Sequence, residues 1–204
     1  FLLNPLCAVV ASKFELLSAE IKNDKTFMVV AVQQNWHALE YVSAELKNDK
    51  DVVIAALTQD PYSFRYVSQE LACNDKDVVM VVLPRLTYAS STCSQYMYLL
   101  APELCSRYLT CSYILQHASP ELKNDKEIVM AAVAQDDWAL EYTSDELKND
   151  KEIMMAAVVQ NGDALEYASK ELKNDKEFMM AAVALNTNAL DYASDELRND
   201  KDVM

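Results

Sequence analysis

Glycine is almost absent: the chain of 204 residues contains one, Gly162. Phosphate-cradling loops need several positions without a side chain. The Walker loop and the dinucleotide fingerprint are therefore excluded, and with them the nucleotide enzymes built on those loops. Histidine is nearly as scarce, with His37 and His117 alone, and no second histidine stands at helical spacing from His37. The five cysteines (Cys7, Cys73, Cys93, Cys105 and Cys111) are odd in number and form no Cys-x-x-Cys, so neither a disulfide framework nor a zinc knuckle is written here. The six-residue steps from Cys105 to Cys111 to His117 fit no common ligand motif, and no metal site is expected. This cysteine usage points to a reducing, intracellular setting, cytoplasmic or organellar. Eighteen basic residues face thirty-two acidic ones, for a formal net charge of -14. Such a chain repels a phosphate backbone rather than releasing its counterions, so nucleic acid is not expected as a partner. The longest apolar run, Phe178 to Leu185, falls well short of the roughly 18 residues a membrane span needs.

What is abundant is repetition. The tripeptide Asn-Asp-Lys begins at 23, 48, 74, 124, 149, 174 and 199, in steps of 25 or 26 with one copy missing near 99. Serines at 18, 43, 68, 94, 119, 144, 169 and 194 keep the register through that gap. Residues 84–116 therefore belong to the same array as a degenerate unit, with Leu99-Leu100-Ala101 in place of Asn-Asp-Lys. About eight units account for residues 1–204, read as a single repeat array.

Within one unit, 149–173, Asn149-Asp150-Lys151-Glu152 opens a helix. Asn149 as N-cap would pair with Glu152 in a capping box, and Asp150 as N-cap is the competing reading. The stretch Ile153 to Val159 is apolar all round, as suits a helix covered on most sides. Alanine pairs at 55/56, 131/132, 156/157 and 181/182 would let neighbouring helices approach closely. Gln160-Asn161-Gly162-Asp163 breaks the pattern, and a second, amphipathic helix follows with Leu165, Ala168 and Leu172 as its apolar stripe. At Ser119-Pro120 the proline argues for a separate short turn capped by the serine. Twenty-five residues cannot enclose a core, so the units must stack on one another. The expected fold is all-α, a right-handed-type helical solenoid of about eight stacked two-helix repeats.

The string Ala-Leu-Glu-Tyr-Ala-Ser-Lys-Glu-Leu-Lys-Asn-Asp-Lys-Glu at 164–177, followed by an apolar Ala-Ala-Val helix, resembles the repeats called domain of unknown function 4116. The resemblance covers seven copies and leaves out 84–116. It implies a helical repeat of a kind expanded in protists, algae included, and found in some intracellular bacteria. It implies no activity and no catalytic residue.

Repeated chemistry is weak evidence for catalysis, because a catalytic constellation is unique and these acids come in seven copies. The paired junction lysines, such as Lys22/Lys25 and Lys47/Lys50, could form an anion-binding edge. The interleaved acids favour a solvated edge that keeps the array soluble. Tyrosines at 41, 66, 142, 167 and 192 are expected to bury their rings and leave their hydroxyls at the rim, and His117, which takes their place in one unit, to lie at the core edge. The degenerate unit differs. It holds Tyr88, Tyr96, Tyr98, Tyr108 and Tyr113 but only three charges, Arg85, Glu103 and Arg107. Tyrosine and arginine with few acids is the composition of interface cores, which makes Tyr88, Tyr96, Tyr98, Arg107, Tyr108 and Tyr113 candidate protein-binding residues. Drift of a decayed repeat is the competing explanation.

The sequence starts at Phe1 and stops four residues into what should be the next buried helix, so the array is expected to belong to a longer or processed chain. The reading is a non-catalytic scaffold for protein partners, docking on 84–116 or on the open ends, with no cofactor. Two alternatives stand beside it: an accessory or linker subunit of a large assembly, such as one of an algal plastid, and the targeting array of a larger effector or enzyme.

Overall fold

The structure, a computed structural model, describes residues 14–86 and 110–200. Every regular element among the described residues is helical. The chain divides into two compact units, Phe1–Arg85 and Leu86–Met204, and the division falls inside the degenerate segment.

Among the described residues the regular repeats carry three helical pieces rather than two, and in one repeat the middle piece, Cys111–His117, is α-helical. The first is an α-helix of up to ten residues, seen at Lys25–Gln34 and Lys50–Gln59 in the first unit and at Lys151–Gln160 and Lys176–Leu185 in the second. Next comes a 3-10 helix of five or six residues: Trp36–Glu40, Pro61–Tyr66, Asp137–Tyr142, Gly162–Tyr167 and Thr187–Tyr192. A single turn follows the serine, α-helical at Pro120–Lys123 and Lys170–Lys173 and 3-10 at Leu46–Asn48 and Leu147–Asn149. A 3-10 run of this length is uncommon, since its hydrogen bonds are poorly aligned. Here it is set by its cap. Asn161 or its counterpart (Asn35, Asp60, Asp136, Asn186) accepts from the N–H two residues on, which tightens the entry to the next turn. The serine then leaves the helical region, with φ near -60° and ψ near 157° at Ser169, and the chain restarts as a new turn.

Packing follows the expected stripe across this break: Leu165, Ala168 and Leu172 are all buried, although they lie on two separate pieces. The long helix is not covered all round. Ile153, Met154, Ala157 and Val158 are fully buried, whereas Val159 is 62% exposed. Each alanine pair divides in the same way, with Ala56, Ala132, Ala157 and Ala182 at 0% exposure and the preceding alanine on the outer side. The buried residues at helix position three come from adjacent repeats within each unit, Val52 and Val78 in the first and Ile128, Ile153 and Phe178 in the second, so each unit's core is assembled by neighbours.

Candidate functional site

Among the described residues the Asn-Asp-Lys edge is a bonding ladder that ties each motif to the next repeat. Asp, not Asn, is the N-cap of the long helix: Asp150 accepts from the N–H groups of Glu152 and Ile153, and Asp24, Asp49, Asp75, Asp125 and Asp175 occupy the same place. The Asn149 capping box with Glu152 does not form, because asparagine is committed to the next repeat. Its side-chain oxygen accepts from the serine hydroxyl twenty positions on, in Ser43–Asn23, Ser68–Asn48, Ser144–Asn124, Ser169–Asn149 and Ser194–Asn174. The same serines donate their backbone N–H to the carbonyl of the preceding repeat's first motif lysine, for example Ser43 to Lys22 at 3.0 Å. The amides of Asn48 and Asn124 reach Glu70 and Glu146, both at 3.1 Å.

Both motif lysines are consumed as well. The first folds back onto a carbonyl seven residues earlier, as in Lys47 to Glu40 at 2.7 Å and Lys173 to Glu166 at 2.8 Å. The second bridges to the acids of the following repeat: Lys25 to Asp49 and Asp51 at 2.9 and 2.7 Å, Lys50 to Asp75 and Asp77 at 3.0 and 2.6 Å, Lys126 to Asp150 and Glu152 at 2.8 and 2.7 Å. Burial opposes ionisation of Asp49, Asp75 and Asp150, but the lysine and the backbone N–H donors outweigh it and hold these carboxyls below the usual carboxylate range. The edge is more than a solvated face. It is the cross-link between repeats.

At the other end of the long helices the caps of the 3-10 pieces form a second row of contacts with varied chemistry. Ser112 donates its N–H and its hydroxyl to Asp136 at 3.1 and 2.7 Å, and Asn161 donates its amide to Asp137 at 2.8 Å. In the next rung the contact is steric: a Cβ on Gly162 would lie 2.7 Å from Oδ1 of Asn186. A side chain at 162 would displace the Asn186 side chain. Burial is the first cause raising the Asp136 carboxyl above its ordinary value, and the charge of Asp137 adds to it, against the bonds from Ser112 and Trp138. Among the described residues neither Asp136 nor Asp137 forms an ion pair.

One position of this cap edge is aromatic in several repeats. Tyr113 and Trp138, twenty-five residues apart in the second unit, are 36% and 37% exposed, and Asp163 holds the position in the next repeat. In the first unit the position is His37 and then Tyr62, which is 41% exposed. The Arg65 guanidinium lies 5.8 Å from the Tyr62 ring centroid, three residues along the chain.

A family model described as a domain of unknown function (DUF4116) matches residues 11–47, 31–72, 109–148, 131–173 and 175–204. The chain belongs to this family. The DUF4116 matches leave out residues 73–108, which hold most of the degenerate unit. No curated protein and no solved structure matches the chain.

Of the six candidate binding residues, Tyr88, Tyr96, Tyr98, Arg107 and Tyr108 lie outside the described residues. Tyr113 is described: it sits on the Cys111–His117 helix, capped by Thr110, with its ring edge-on to His117 at 4.7 Å. His117 is exposed rather than at the core edge. Cys111 on that helix is buried, and burial pushes its thiol up to about 12, as for a packed thiol. The five repeat tyrosines are half-buried as expected, and burial with the nearby Glu141 and Glu166 carboxylates pushes Tyr167 up to about 12. Sequence reasoning missed Trp138 and Tyr62. Their signal was the repeat step counted from Tyr113 and from His37, which the tyrosines of the apolar stripe obscured. No helix among the described residues is long and apolar enough to cross a membrane.

Proposed function

We propose that this DUF4116 array is a non-catalytic scaffold that binds protein partners through the surfaces its own repeat-to-repeat bonding leaves open. The observation that carries the reading is the ladder: the serine, lysine, asparagine and aspartate of the motif, the residues most available for chemistry, are spent on joining repeats. The cap edge remains for recognition, where the residue type changes from repeat to repeat and large rings stand half-exposed. An acidic chain is suited to protein partners and not to a phosphate backbone, and its cysteine pattern suits a reducing compartment. Cross-linking of the protein purified with its native partners tests the reading. Cross-links concentrated on the cap edge and on 84–116 are expected, and cross-links concentrated on the Asn-Asp-Lys edge would contradict it.

A further inference from the structure

Two repeats, one from each unit, treat the same aromatic position in opposite ways, while His37 in the first unit is followed by Glu40. In the first, Tyr62 is followed at three residues by Arg65, whose guanidinium stands over the ring at 5.8 Å. In the second, Trp138 is followed at three residues by Glu141, the repeat counterpart of Arg65, and Tyr113 by neutral Gln116. The ring position that receives a cation from within the chain in the Tyr62 repeat is followed by a carboxylate in the Trp138 repeat, one 3-10 turn on, where side chains three apart eclipse. Trp138 is 37% exposed, and an indole face is the strongest of the aromatic cation acceptors. Asp136 and Asp137, immediately before it, are bonded to neutral donors only, namely Ser112, the Trp138 N–H and Asn161. Tyr113, one repeat earlier and joined to this rung through the Ser112–Asp136 bonds, offers a second half-exposed ring.

We propose that Trp138, with Glu141 one 3-10 turn on and Tyr113 one repeat earlier, is a docking site for an arginine-bearing extended segment of a protein partner, the guanidinium lying on the indole where Arg65 lies on Tyr62. The proposal rests on the scaffold reading and names the chemistry of its partner. Arginine fits better than lysine because its planar head stacks on a ring while its N–H groups donate to a carboxylate. Ring and carboxylate together distinguish this site from the general attraction of any basic peptide to a chain of net charge -14.

The test is fluorescence anisotropy of a fluorescein-labelled Gly-Arg-Gly-Arg-Gly-Arg-Gly peptide titrated with the full chain at physiological salt. Trp138→Leu and Glu141→Arg should each weaken binding at least about fivefold, in line with one desolvated cation–π contact. Glu20→Arg, an equal charge change on an exposed residue of the first unit, should leave it within about twofold, as a screened remote charge does. Arg65→Glu should add a second site at Tyr62, read as a doubled stoichiometry; this gain does not depend on any variant of the Trp138 site folding. Equal losses from Glu20→Arg and Glu141→Arg, or no binding in the low millimolar range, would overturn the proposal. Either result leaves the scaffold reading to its own cross-linking test, since partners could dock elsewhere on the cap edge.

Discussion

The two edges of the repeat are built from similar residue types and behave differently. On the Asn-Asp-Lys edge the same side chains recur in nearly every copy, and the bonds between copies recur with them, from Ser43–Asn23 to Ser194–Asn174. On the cap edge the contact between neighbours changes at each rung: a serine on an aspartate, an amide on an aspartate, then a bare glycine under an asparagine. Repetition within a chain therefore marks the bonds the array cannot do without, and variation marks where the surface is available to differ. The lysine-rich edge, the more conspicuous in the sequence, is the one with least left to offer a ligand.

The packing between the edges sets the scale of effect. Leu165→Ala, at a site with 0% exposure, should cost about 2–5 kcal/mol in urea unfolding, larger than any edge substitution. Asp150→Ala removes a cap that accepts from two N–H groups and the anchor of Lys126, and should cost about 1–2 kcal/mol. Gly162→Ala inverts the usual preference for alanine over glycine in helices. Its Cβ would push Asn186 off the N–H of Asn188, and a loss of about 1 kcal/mol in thermal melts is expected instead of a gain. The smallest effect separates the edges by sign. Asp150, held below the usual range, contributes stability that is present above its unfolded pKa of about 4 and lost as pH falls through the folded value. Asp136, raised, contributes stability that is whole below about pH 4 and lost as pH rises through its folded value. Relative to the parent, Asp150→Asn should lose its deficit on acidification, and Asp136→Asn should gain as pH rises from 4 to 7. Parallel pH profiles for the two variants would remove the distinction.

Much of this was legible before any coordinates. The repeat step fixes the stacking, and the apolar stripe of Leu165, Ala168 and Leu172 was placed correctly. The 3-10 conformation was not, because a spacing of three and four does not distinguish a tight helix from an α-helix over six residues. Nor was the role of Asn149, since a capping asparagine and one that bonds across a repeat have the same neighbours in sequence. The Ser169 partner lies twenty positions away, beyond the reach of local pattern. Trp138 was overlooked for a related reason: it stands two residues after a variable cap, and only the structure separates that exposed position from the half-buried tyrosines four residues on.

A double-mutant cycle on Ser169→Ala and Asn149→Ala, read by urea unfolding, tests the ladder most directly. The hydroxyl-to-amide bond between adjacent repeats predicts a coupling of about 0.5–1.5 kcal/mol, with the double variant less destabilised than the sum of the singles. Strictly additive losses would mean that these two side chains do not hold neighbouring repeats together, and would contradict the account.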